Sequence, residues 1–283
     1  MSGCIIYQET MSAPPSPQNR QITLDGLTFH ITIWDGNGPN VVLLHGLASN
    51  RKIWDLVGPI LAHTTSVVAI DQRGHGESDK PATGYDFTTI THDLHLLLKY
   101  LGLIRPIIIG HSWGGNVALD FASTYPQEVG GIVLLDGGLI EISHIPNNSL
   151  KKALIDMAPP IVDGLTMIAL QRRLQSRNWH SRDQTSREAP LEDIIIANFQ
   201  VQDDNRITAR LPRKNHLQII KALWDHHPTK LLPELECPVL LMPARYPKGA
   251  AETPAIAQLA RKEATIAAAE KLLTTYCTVW LED

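Results

Sequence analysis

Cysteine is scarce in this chain: Cys4, Cys237 and Cys277 are the three among 283 residues. An odd, scattered set excludes a disulfide framework and offers no metal-ligand spacing. The twelve histidines form no H-x-x-x-H or H-E-x-x-H pattern, so no metal site is expected. No apolar run reaches the roughly 18 residues needed to span a bilayer. Basic blocks are missing too: 25 Lys and Arg stand against 29 Asp and Glu, a net charge of -4. That balance points away from nucleic acid as a partner. The first twenty residues lack the basic start and apolar centre of a secretory signal. A cytoplasmic, reduced protein with neither membrane nor nucleic-acid partner is the expectation.

What is present describes an ordinary globular chain, 43% hydrophobic and 19% charged. Residues 1–20 carry Pro14, Pro15 and Pro17 and read as a flexible tail, within which Met11 offers an alternative start. Gln21–Leu24, Asp25-Gly26 and Leu27–Trp34 read as a hairpin, because Asp-Gly favours a tight two-residue turn. Buried strands follow at Val41–Leu44, Ser66–Ile70, Pro106–Ile109 and Gly131–Leu135. Helical spacing separates them, at Ile53–Leu61 and again at Phe87–Leu101 through Ile90, Leu94, Leu97 and Leu98. Strands alternating with helices predict a mostly parallel sheet flanked by helices, an α/β fold. The alternation breaks over residues 139–232, where Leu150–Met157, Gly164–Leu174 and Asn215–Trp224 are helical. Pro238–Met242 restores the strand pattern, a helix spans Ala255–Leu273, and Cys277–Trp280 is a last strand. The expected organisation is a core of 21–138 and 233–283 with a helical insertion, 139–232.

Gly110-His111-Ser112-Trp113-Gly114 lies between a strand and the helical run Gly115–Ala122. G-x-S-x-G in that setting is the pattern of a nucleophile elbow, a sharp turn that holds a serine at a sheet edge. The glycines are needed because side chains there would collide where helix and strand pack. Ser112 is therefore the expected nucleophile.

His45-Gly46, Asp71-x-Arg73-Gly74-x-Gly76-x-Ser78, the Ser112 motif and the helical insertion, in that order, resemble the α/β-hydrolase family over Gln21 to the C-terminus. The resemblance implies that the insertion is a cap over the active site. It also implies that the backbone N–H groups of Trp113 and Leu47 form an oxyanion hole for the tetrahedral intermediate. His45 and Gly46 fall at the expected pocket, as does His111; His45 and the Arg73-Gly74-His75-Gly76 turn also read as loop scaffold. Trp54 reads either as pocket wall or as core. No cofactor is implied. Epoxide hydrolases and dehalogenases of this family carry an aspartate where Ser112 stands, so an ester, lactone or related carbonyl compound is the expected small-molecule substrate. The insertion's arginines (Arg172, Arg173, Arg177, Arg182, Arg187, Arg210) either grip an acidic substrate or form a solvated surface.

Acid and base are harder to place. The strands ending at Ile109 and Leu135 should be sheet neighbours through a right-handed crossover, with strands about 4.8 Å apart. That sets Asp136 beside Ser112, able to orient a histidine. The family more often takes this acid from the loop after the next strand, here Pro243–Gly249, which has no carboxylate before Glu252. In the family the catalytic histidine follows the last strand, yet no histidine follows His227 and the chain closes at Leu281-Glu282-Asp283. Substitutes would be His111 or the insertion's His144, His180, His216, His226 and His227. The last strand's face should be partly uncovered, a place for self-association. A serine without a base is a weak nucleophile. Two readings therefore stand: a serine hydrolase, shortened or using an unusual base, and an inactive binding module holding a small ligand under the cap.

Overall fold

Asp25 and Gly26 close the first hairpin with φ of 48° and 76°, the positive pair that a type I′ turn requires. β1 (Gln18–Leu24) and β2 (Leu27–Trp34) pair antiparallel across it. The computed structural model describes residues 13–162, 164–176, 189–245 and 253–282. β1 begins at Gln18, not Gln21, so the end of the expected flexible tail is strand. Gln18, Asn19 and Arg20 pair with Ile33, Thr32 and Ile31, and their polar, exposed side chains gave the sequence no alternation to read. Residues 1–12 lie outside the described set.

The chain continues through β3 (Asn40–Leu44), α1 (Gly58–Leu61), β4 (Ser66–Ile70), α2 (Phe87–Tyr100), β5 (Ile107–His111), α3 (Trp113–Thr124) and β6 (Gly131–Leu135). The helix expected over Ile53–Leu61 is interrupted: a 3-10 turn covers Arg51–Trp54 and α1 starts only at Gly58. A Cβ on Gly58 would lie 2.7 Å from the Trp34 ring, and Pro59 has no N–H to continue a helix already begun. After β6 come α4 (Leu150–Asp156), α5 (Met167–Gln175), α6 (Ala189–Ile196), β7 (Phe199–Val201), β8 (Ile207–Ala209) and α7 (Arg213–Asp225). The core resumes with β9 (Val239–Met242), α8 (Thr253–Glu270) and β10 (Tyr276–Thr278). The insertion is thus not purely helical, since β7 and β8 form a small antiparallel sheet. Strands of three residues are too short to show a period of two.

The main sheet has eight strands in the order β1-β2-β4-β3-β5-β6-β9-β10. Only the two pairings of β2, with β1 and with β4, are antiparallel; the other five are parallel. One face is covered throughout: Val42, Ile108, Ile132, Leu134, Val239 and Leu241 are buried with residues of α2, α3 and α8 in one apolar cluster. The opposite face divides in two. Under the Arg51–Leu61 segment, Val41, Leu43, Val67 and Ala69 are at most 3% exposed, packed with Trp34 and Trp54. Farther along, Ile107, Ile109, Val133, Leu135, Leu240 and Met242 are only partly buried. Register makes these continuous rows, Ile109–Val133–Leu240 and His111–Leu135–Met242.

Among the described residues no helix is long and apolar enough to cross a membrane.

Candidate active site

The elbow is forced by local geometry. Ser112 follows β5 directly, at φ 52° and ψ -121°, and α3 begins at the next residue. Such a conformation is costly for a residue with a Cβ, and observed outliers of this kind cluster at functional sites. It persists because both sides hold it: the Ser112 N–H donates to the Leu135 carbonyl at 3.0 Å, and the Gly115 N–H donates to the Ser112 carbonyl at 2.9 Å. The motif's glycines are needed for close approach. A Cβ on Gly110 would lie 2.2 Å from the Gly114 carbonyl oxygen, and one on Gly114 would lie 2.5 Å from that of Leu44. Two further non-glycine residues with positive φ, Ala48 (58°) and Asp136 (42°), lie just past the ends of β3 and β6. Three strained turns thus gather at one sheet edge.

The loop after β3 closes on the serine. A Cβ on Gly46 would be 3.1 Å from Ser112 Cβ and 3.2 Å from His111 Nδ1. Among the described residues, neither the Leu47 nor the Trp113 N–H donates to a backbone carbonyl. The Ser112 side chain makes no capping bond to α3. Trp113 opens that helix, where the amides have no intrahelical acceptor and the dipole favours negative charge. The serine thus stands where a strand ends and a helix begins, a setting whose amides and dipole favour negative charge nearby.

Around this the expected pocket residues separate. His45 is fully buried. Its Nδ1 lies 2.8 Å from the Gly46 carbonyl oxygen, and its Nε2 accepts the Gln72 N–H at 3.1 Å. Those partners fix a neutral tautomer with the proton on Nδ1, and burial lowers its pKa. His45 is therefore a loop brace and not a pocket wall. Trp54 is likewise core, 4% exposed among Trp34, Leu43 and Val67; an indole this size lies over the strands instead of facing a ligand. The Trp113 ring is buried and stacked on His75, ring centroids 5.1 Å apart, and His75 in turn meets His45 at 4.8 Å. The scaffold reading of the Asp71–Ser78 turn has specific bonds behind it. Asp71 accepts from the Arg51 backbone and guanidinium and from the Glu77 N–H, while Arg73 grips Asp93 with two nitrogens.

Asp136 does arrive beside the elbow, since β5 and β6 are neighbours and His111 pairs with Leu135. Among the described residues its hydrogen-bond partners are not histidines. Oδ1 accepts from Lys262 Nζ at 2.7 Å and from the Ala244 N–H at 3.0 Å. Lys262 on α8 is the contact that sequence reasoning missed, because nothing local links positions 126 residues apart. Residues 246–252 of the following loop, Glu252 included, lie outside the described residues.

No described histidine hydrogen-bonds Ser112; most have other partners. His226 faces Asn116 and Asp120 and stacks on Phe87 at 3.8 Å. His216 Nε2 lies 2.8 Å from the Met157 carbonyl oxygen. His144 and His227 both face Glu141. His111 shares the face of Ile107 and Ile109, and its Nδ1, like Ser112 Cβ, lies close to Gly46 without a hydrogen bond to the serine; burial lowers its pKa, with Asp136 pulling the other way. His180 lies outside the described residues, as do Arg177, Arg182 and Arg187, while Arg172 and Arg173 are exposed. A cleft of about 640 Å³ opens nearby, lined by Asp136, Gly137, Leu139, Ile142, Lys262 and Thr265 among others, without Ser112 in its wall.

Comparison with known proteins bears on the same region. Residues 39–178 match the family model described as alpha/beta hydrolase fold. A soluble epoxide hydrolase of Corynebacterium sp. (strain C12) is 38% identical over 118 residues, 42% of this chain and 41% of that protein. A 2-(acetamidomethylene)succinate hydrolase of Mesorhizobium japonicum is 32% identical over 118 residues, 42% of each chain. The chain spans about half the length of the curated relatives it matches, or somewhat less. Among solved structures, E-2-(acetamidomethylene)succinate hydrolase superposes with a TM-score of 0.68 over 94% of this chain and 92% of its own, at 21% identity. An identity that low speaks for the fold alone.

Proposed function

Because the chain belongs to the α/β-hydrolase family, we propose that it is a serine hydrolase acting on a small ester, lactone or related carbonyl compound. The reading rests on Ser112, held at positive φ on the elbow with its hydroxyl unbonded to α3 and Gly46 packed against its Cβ. Attack by Ser112 Oγ on the carbonyl carbon forms a tetrahedral intermediate. The amides of Leu47 and Trp113 take the negative charge that develops on its oxygen. Likeness to an epoxide hydrolase does not carry that reaction here, since a serine occupies the nucleophile position.

The base sets the rate. A serine assisted only by oxyanion donors and binding retains roughly 10³–10⁴ over water, against about 10⁶ lost without the triad. With no described histidine on Ser112 and Asp136 engaged by Lys262, turnover by the chain is expected to be slow. The same observation favours a second reading, a ligand-binding module on a hydrolase scaffold.

Labelling of purified protein with a fluorophosphonate probe, with Ser112→Ala as control, separates them. Labelling within minutes that the substitution abolishes supports an activated serine. A folded protein that stays unlabelled overturns the hydrolase reading in favour of the binding module.

A further inference from the structure

We propose that Glu141, His144 and His227 form a binding site for a divalent transition metal of the zinc class. The site joins the two stems of the insertion, where the chain leaves the core after β6 and where it returns after α7. His227 Nδ1 lies 2.7 Å and His144 Nδ1 3.3 Å from the same Glu141 oxygen, Oε1. All three ligand atoms fall within 4.8 Å of one another. Zinc bonds of about 2.0–2.1 Å in a tetrahedron imply ligand–ligand separations of about 3.3–3.4 Å, so the atoms need shift by little more than an ångström to close on an ion.

Two more features fit a cation. Glu141 is only 7% exposed, yet among the described residues its ion-pair partners are the two imidazoles and no lysine or arginine. A buried carboxylate without a cation is costly, and a dication between it and two neutral imidazoles removes that cost. Thr229 Oγ1 donates to the other oxygen, Oε2, at 3.0 Å. This fixes the carboxylate and leaves Oε1 to the histidines, the kind of support that orients metal ligands. Two nitrogens and one oxygen select zinc or its neighbours over magnesium and calcium, which prefer oxygen alone. Glu141, His144 and Thr229 also line the 640 Å³ cleft, which leaves a fourth position for water on that side.

The test uses the purified full chain, stripped with chelator and titrated with zinc chloride alone. One ion per chain is expected, with a rise in melting temperature on binding and no response to magnesium. His144→Ala is the informative variant, because its side chain is 65% exposed and its loss leaves folding intact. It should weaken zinc binding by about tenfold or more, the scale on which even a supporting partner acts, and His227→Ala should do the same. His92→Ala is the control, since exposed His92 stacks near His95 on α2 and makes a rival surface pair. Zinc binding that survives His144→Ala unchanged, binding lost only in His92→Ala, or a folded wild-type chain that takes up no zinc would each overturn the site.

Discussion

One face of the main sheet is built from two halves with the same kind of sequence and different fates. β3 and β4 contribute Val41, Leu43, Val67 and Ala69, sealed beneath Trp54 and its segment. β5, β6 and β9 contribute Ile107, Ile109, Val133, Leu135, Leu240 and Met242, all partly open. Apolar, β-branched runs therefore specify a strand but not the depth of its burial. The covering segment decides that, and here it is tied down by electrostatics: buried Arg51 bonds Asp71 with backbone and guanidinium, reaches Glu77 at 2.7 Å and meets Thr32 at 3.0 Å. The same Asp71 braces the turn that carries Gln72, which fixes His45 and with it the loop over Ser112. Half the sheet face and the loop after β3 are held by one polar cluster.

A charge placed in each half should break the comparison most visibly. Leu43→Asp buries a carboxylate among apolar side chains at a cost of several kcal/mol, comparable to the whole stability of a domain, and is expected to abolish the cooperative thermal transition. Leu240→Asp can turn its carboxylate to water and should retain that transition by circular dichroism. Equal loss in both would mean that the open half is covered in solution.

Truncation sharpens the same contrast on a smaller scale. Leu43→Ala should cost about 2–5 kcal/mol, as large-to-small changes in a sealed core do. Leu240→Ala, which removes atoms already in partial contact with water, should cost about 1 kcal/mol. Urea denaturation of both variants measures the gap, and a gap near zero would erase the distinction between halves.

The smallest effect concerns pH. Burial lowers the pKa of His45 and, with His45 nearby, lowers that of His75 further. Both are neutral when folded, whereas the unfolded chain takes up protons near pH 6.5. Stability should thus be complete above about pH 6.5 and decline as pH falls below it. His75→Phe, which keeps a ring against Trp113, should flatten that decline, while Leu240→Ala should leave its shape unchanged. Urea midpoints between pH 8 and 5 read both.

Much of the site's framework is legible in the sequence because it is local. The elbow needs only the order strand, G-x-S-x-G, helix, and the clash distances at Gly110 and Gly114 explain why no other residue fits. The hairpin follows from Asp25-Gly26, and the neighbouring of β5 and β6 follows from crossover handedness. Trp54 was ambiguous because an indole suits a core and a pocket equally well, and only the packing of its segment on β3 and β4 decides. β7 and β8 were too short to leave a pattern. The partner of Asp136 was out of reach for a different reason: Lys262 is an ordinary helix residue until α8 is docked.

The sequence by itself determined the serine, its turn, the first hairpin and the alternation of strands and helices, since each depends on steric and hydrogen-bonding rules acting within a few residues. Tertiary structure alone decided which side chains meet from afar. It set Lys262 on Asp136, split one sheet face into sealed and open halves, and brought His227 to Glu141 across 86 residues of chain. Spacing along the chain carries no information about such contacts, because the docking of whole elements, driven by apolar burial elsewhere, sets their distances.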